Sequence, residues 1–209
     1  MNPELGLKEQ PTVEKEPYYK EIIVKSFSEA VNNSIELSYI ETEGKNKPLA
    51  LVDIDGVILD DKYKVPFLSH RHQPYIPEEN KKSFLDLVKG FEGSVAIITN
   101  RGSKDNPLWN TGRVISRIEG FIKDEATDVE IFKALLRQFP FLGMGDTEEV
   151  IKYLGEKVMN NPEKVLNIYG IEDWSFVSLN RQSFYDYLSK EIYKRYGGIL
   201  RVTNFVVKK

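Results

Sequence analysis

The stretch Leu49-Ala50-Leu51-Val52-Asp53-Ile54-Asp55-Gly56-Val57-Ile58 constrains this chain more than any other. A near-continuous apolar run is the mark of a strand buried on both faces of a parallel sheet. This run stops abruptly at two carboxylates one residue apart. Acids at the carboxyl end of such a strand lie where open α/β folds bind their ligands. Residues i and i+2 of a strand point the same way, so Asp53 and Asp55 face one small space if the extended geometry persists. Two close acids repel unless a positive charge sits between them. A hard cation such as Mg²⁺ suits an all-oxygen environment, and Gly56 permits a sharp turn beside it. Read without the rest of the chain, the same residues also fit a plain Asp-rich turn.

The remaining pattern supplies the frame around that strand. Residues 1–16 are charged and contain two prolines, the composition of a mobile arm. Helical spacing of Tyr19, Ile22, Ile23, Phe27, Ala30 and Val31 predicts a helix over 17–33, and the alternation in 35–40 predicts a short strand. Residues 1–47 therefore read as an N-terminal helix/strand extension, and residues 48–209 as the main domain. Strands are expected near 49–54, 94–98, 140–144, 165–171 and 199–202. Helices are expected near 78–89, 114–122, 129–136, 146–158 and 182–196. Strand and helix alternating about five times predict a parallel sheet of about five strands with helices on both faces, a Rossmann-like α/β three-layer sandwich.

Three of those strands end in polar chemistry: Asp53/Asp55, Thr99-Asn100-Arg101 and Glu172-Asp173. Parallel strands deliver all three groups to the same edge of the sheet. A hydroxyl, an amide and an Arg suit an anion, because Arg can bind phosphate through two parallel hydrogen bonds. His70 and His72 lie in a Pro-rich loop (57–77), and with no cysteine in the chain and no third histidine they make a poor zinc site. A formal net charge of −3 requires neither nucleic acid nor membrane as a partner. The absence of cysteine excludes disulfides and thiol nucleophiles, and with no apolar run near 18 residues the expectation is a cytoplasmic protein with no membrane partner.

At this point the sequence resembles the haloacid dehalogenase (HAD) superfamily of phosphohydrolases. Val52-Asp53-Ile54-Asp55-Gly56-Val57 matches its first motif, and Ile97-Ile98-Thr99-Asn100 matches its second. The likeness spans about residues 49–203. Two placements exist for the later motifs, a lysine and an acidic strand end. Asp146 with Glu149 could be the acidic pair, with Lys123 or Lys133 as the lysine. Alternatively Lys152 is the lysine, with Lys157 and Lys164 in reserve, and Glu172-Asp173 is the acidic pair. The second is preferred, because it leaves about 36 residues for one helix and one strand.

The resemblance implies that Asp53 is a nucleophile toward phosphorus and that Asp55 is the acid/base. It implies Mg²⁺ held by Asp53, the backbone carbonyl of Asp55 and Asp173, with Glu172 assisting. Thr99, Asn100, Arg101 and Lys152 would hold the phosphoryl oxygens. Only about 45 residues separate the first two motifs, which leaves no room for a large cap domain. The layout is loosely similar to polynucleotide 3′-phosphatase domains, so the substrate expected is a phosphomonoester, with a nucleic-acid end leading and a small nucleotide or sugar phosphate as the alternative. A catalytically silent phosphate-binding module is the rival expectation.

Overall fold

The computed structural model describes residues 18–42, 46–59, 75–92, 94–99, 116, 118–120, 141–143, 147–173 and 181–208. The elements run β1 (Tyr18–Val24), α1 (Phe27–Thr42), β2 (Leu49–Val52), α2 (Glu78–Gly90), β3 (Val95–Thr99), β4 (Phe141–Gly143), α3 (Thr147–Met159), β5 (Val165–Asp173), α4 (Arg181–Tyr196) and β6 (Ile199–Val207). The six strands form one sheet in the order β1-β6-β5-β2-β3-β4. Every pairing is parallel. All four residues of β2 and all nine of β5 are buried, as expected for central strands covered on both faces.

Two apolar layers flank the sheet. One joins Ala50, Val52, Tyr169 and Ile171 to Phe27, Ala30 and Val31 of α1 and to Phe84, Leu87 and Val88 of α2. The other joins Leu49, Leu51, Leu166 and Ile168 to Val150, Ile151 and Leu154 of α3 and to Tyr185, Leu188 and Ile192 of α4. The alternation of Leu49/Leu51 against Ala50/Val52 follows from the strand's period of two. Each fully buried Leu or Ile contributes about 1.5–3 kcal/mol of transfer free energy. These two layers make the three-layer α/β sandwich that the sequence pattern implies.

The N-terminal region departs from its sequence reading. Residues 18–24 are a strand rather than the first half of a helix, and 35–40 lie inside α1 rather than in a strand. Tyr18 to Val24 pair residue for residue with Arg201 to Val207 of β6. Ala30 and Val31 are buried in the core. Residues 18–42 are thus an integral edge of the sheet and one of its covering helices. The helix begins at a variant of the capping box: the Glu29 N–H donates to Ser26 Oγ at 3.1 Å, and Glu29 Oε2 accepts from the N–H of Lys25, one residue before the cap, at 2.7 Å. The last strand also extends further than expected, to Val207. The histidines and most of the helices expected at 114–122 and 129–136 lie outside the described residues, although Ile118 is helical and buried.

Strand order places the reversal of winding between β2 and β5. From β2 the chain moves outward through β3 to β4, then returns to β5 and β6 on the other side. In open α/β sheets this switch point opens a crevice at the carboxyl ends of the two strands.

Candidate active site

The crevice is lined by acids. The Asp53 N–H donates to Ile171 O at 2.9 Å, which extends the β2–β5 pairing one residue beyond Val52. Asp53 and Glu172 become neighbours across the two strands. By strand alternation both lie on the α3/α4 side, continuing Leu49/Leu51 and Leu166/Ile168. The chain then turns sharply at Gly56, whose φ is +73°. A Cβ on Gly56 would lie 2.6 Å from Asp173 Cβ and 2.7 Å from Asp173 Oδ2. Only glycine can take that turn and leave space for the second acid of β5. The turn is closed by the Leu59 N–H on Ile54 O at 2.9 Å. From α2, Asn80 Nδ2 donates to Val57 O at 2.8 Å and to Ile58 O at 3.1 Å.

Four carboxyl groups therefore share this end of the sheet. Asp53 retains some solvent contact but lies deep among protein atoms, with Oδ1 accepting from the Ile54 N–H at 2.7 Å. Burial pushes its carboxyl well above the ordinary range, and the charges of Asp55, Glu172 and Asp173 push it further in the same direction. Glu172 is pushed up to about 7, chiefly by burial. A hydrogen bond from Tyr185, the charge of Arg181 and a hydrogen bond from Asn204 moderate that rise. Among the described residues these acids raise one another's hold on protons, a repulsion that a bound cation would relieve.

Glu172 has a shell of its own. Tyr185 Oη donates to Glu172 Oε1 at 3.0 Å, and Arg181 Nε lies 3.6 Å from Glu172 Oε2. Arg181, only 8% exposed, also donates from Nη2 to Glu21 Oε1 of β1 at 3.1 Å and from Nη1 to Asp173 O at 3.3 Å. Burial disfavours its charge, but Glu21 and Glu172 outweigh that and hold the guanidinium ionised. Asn204 of β6 donates from Nδ2 to Tyr19 Oη at 3.3 Å. A Cβ at Gly170 would lie 2.2 Å from Asn204 Oδ1 and 2.9 Å from Tyr185 Oη, so the missing side chain there makes room for this network. Sequence reasoning did not find Arg181, Tyr185, Asn204, Glu21 or Asn80. The available signals were a Gly and an Asn interrupting otherwise apolar strands.

The remaining site residues divide as follows. Thr99 is the last residue of β3, the strand beside β2, so its backbone reaches the same edge. Asn100 and Arg101 lie outside the described residues. Lys152 is exposed on α3, between the buried Ile151 and Leu154. Of the two acidic placements, Glu172/Asp173 adjoins Asp53 directly. Gly143 of β4, three residues before Asp146, is at the sheet's edge with β3 intervening, and Glu149 is exposed on α3.

A hard cation fits this donor set in one way. Among the described residues, no three acid or histidine side chains close around a single point. Tyr185 and Arg181 engage both oxygens of Glu172. Two carboxylates, Asp53 and Asp173, with the Asp55 carbonyl and water, would be the all-oxygen donors left to a Mg²⁺ ion, which commonly keeps several waters. Among the described residues, no helix is long and apolar enough to cross a membrane. Comparison with family models, with curated proteins and with solved structures gives no match.

Proposed function

We propose that the chain is a Mg²⁺-dependent phosphomonoester hydrolase working through an aspartyl-phosphate, in a cytoplasmic setting. The observation that carries this reading is Asp53 at the switch point, its carboxyl pushed up first by burial and then by three neighbouring acids. Such clustering of perturbed carboxyls in a crevice marks functional sites more often than structural ones.

In this reading an Asp53 oxygen attacks phosphorus. The O–P bond to Asp53 forms as the ester P–O bond breaks, and Asp55 gives its proton to the departing alkoxide. A water molecule then attacks the phosphoryl group and Asp55 takes its proton, which releases phosphate and restores Asp53. Bound Mg²⁺ would neutralise phosphoryl charge so that an anionic carboxylate can approach. Thr99 and Asn100 would hold phosphoryl oxygens, with Arg101 and Lys152 balancing their charge. Phosphoryl transfer depends mainly on positioning and electrostatics, so this short set is sufficient. The Tyr185–Arg181 shell keeps Glu172 in place beside Asp53.

The substrate is proposed to be a phosphate on a nucleotide or nucleic-acid end. The test is a panel of phosphate esters, including 3′- and 5′-phosphorylated oligonucleotides, assayed with and without Mg²⁺. The expected result is Mg²⁺-dependent release of phosphate that Asp53→Asn abolishes. No turnover of any ester by the wild-type chain would reject it and favour a phosphate-binding module.

A further inference from the structure

A second concave surface lies away from the acids, where α4 crosses the outer strand β1. Its volume is about 430 Å³, within the range of about 300–1,000 Å³ usual for small-molecule sites. Tyr18 and Tyr19 of β1 form one wall, and Tyr185, Asp186, Lys190 and Tyr193 of α4 form the other. Tyr193 is 66% exposed, although ring area of that size is normally buried. Deeper in, Tyr19 and Tyr185 stack with ring centroids 5.7 Å apart at 29°. Six of the chain's eleven tyrosines fall on these two elements: residues 18, 19, 185, 187, 193 and 196. Asp186 and Lys190 are exposed and spaced i, i+4, which puts an acceptor and a cation on one rim.

We propose that this cleft binds a nucleobase together with its phosphate, either as a free nucleotide or as one unit of a single strand. Flat tyrosine faces accept any base by stacking, and interleaved lysine draws the phosphate. A carboxylate on the same rim accepts from the amino and imino N–H groups of a base edge. An aliphatic or purely anionic ligand would use only one of these features. Tyr18 pairs with Arg201, whereas Asp173 pairs with Val207 six residues further along β6. At about 3.3 Å per residue the two ends are roughly 20 Å apart. One mononucleotide cannot fill both, so the cleft is a separate site and does not rest on the phosphatase reading. It is also not isolated. Tyr185 lines the cleft with its ring and holds Glu172 with its hydroxyl.

The test titrates the full chain in Mg²⁺-free buffer with adenosine and guanosine monophosphates, and with a mixed-sequence single-stranded oligonucleotide lacking terminal phosphates. Calorimetry and tyrosine fluorescence provide the readouts. Saturable binding is expected, weakened about 5- to 150-fold by Tyr193→Ala. Lys190→Glu should weaken it further and flatten its salt dependence. Tyr187→Ala, at an exposed ring on α4 outside the cleft, should leave binding unchanged. Asp53→Asn should also bind normally, which separates this site from catalysis. Binding of both probes assigns a free-nucleotide site, and binding of the oligonucleotide alone assigns a strand-binding site. Failure of every probe to bind at millimolar concentration overturns the proposal. Equal losses in Tyr193→Ala and Tyr187→Ala, or no loss in Tyr193→Ala, overturn it as well.

Discussion

Two charged clusters in this chain obey opposite rules. On the outside of α3 and α4, Arg195 donates to Glu148 from both terminal nitrogens, at 2.6 and 3.0 Å, and lies 2.7 Å from Glu191. Each acid there contacts the one guanidinium, so Glu148 titrates lower and Arg195 higher than usual. At the carboxyl ends of β2 and β5, among the described residues, four acids gather near the Arg181 guanidinium, and Asp53 and Glu172 both titrate higher than usual. The matched cluster is exposed and in high dielectric, where good geometry adds little. The acidic cluster lies deeper, where close like charges are more costly. A fold tolerates such a mismatch where function requires it. The comparison therefore points to the acidic crevice as the place where stability is given up.

The largest expected effect comes from removing the acid at the centre of the mismatch. Asp53→Asn should lower phosphatase turnover by at least about 10³-fold, because a group on which the others depend is lost. The same substitution should raise the melting temperature of the metal-free chain by about 2–4 °C, as expected for relief of roughly 1 kcal/mol in a chain of this size. A fall in both activity and stability would mean that Asp53 is a structural acid and would break the comparison.

The pH dependence follows with its sign fixed by the raised acids. The folded state holds protons on Asp53 and Glu172 more tightly than the unfolded chain does. Their stabilisation is complete below the unfolded values and is lost as pH rises, for Glu172 through about 7. Denaturation of the metal-free chain should therefore give a lower stability near pH 8 than near pH 5, by a few kcal/mol on the order implied by the shift. Added Mg²⁺ should flatten that slope, since a bound cation relieves the repulsion among the acids. A profile rising with pH would contradict the assignment.

Smaller effects test the supporting shell. Tyr185→Phe removes the donor to Glu172 and should cost about 1–3 kcal/mol in chemical denaturation. It should also move the Glu172 carboxyl further up, readable by NMR titration. Gly170→Ala should cost about 1–3 kcal/mol, because its methyl meets Asn204 Oδ1 at 2.2 Å. At the bottom of the scale, Glu148→Ala should leave both melting temperature and turnover within experimental error. A large loss there would show that the exposed cluster matters more than its dielectric permits.

The sheet and its polar edge were legible because buried parallel strands announce themselves as short apolar runs, and because acids at their ends cannot be explained by packing. Glu172-Asp173 emerged by the same logic. The N-terminal region misled for a definite reason. In Tyr18-Tyr19-Lys20-Glu21-Ile22-Ile23-Val24 the apolar residues satisfy helical spacing by coincidence. Their β-branched and aromatic composition, together with the Ser26–Glu29 capping box, marked the true boundary. The alternation of Ile35, Leu37 and Tyr39 was overridden by the helix already begun at Phe27. The shell around Glu172 was not legible, because Glu21, Arg181, Tyr185 and Asn204 come from three distant elements. No local pattern records that β1, α4 and β6 meet.

That meeting sets an order of events during synthesis. The partner of β1 is β6, the last of the described strands along the chain, so Tyr18 must wait for Arg201 before it finds its neighbour. Until then the ladder edge of β5 that β6 will occupy stands open, and Arg181 has no carboxylate from Glu21. A ribosome that pauses or stops before residue 199 leaves two unpaired strand edges in one nascent chain, the configuration most prone to pair with another. The first described strand of this protein is thus among the last parts to become structure.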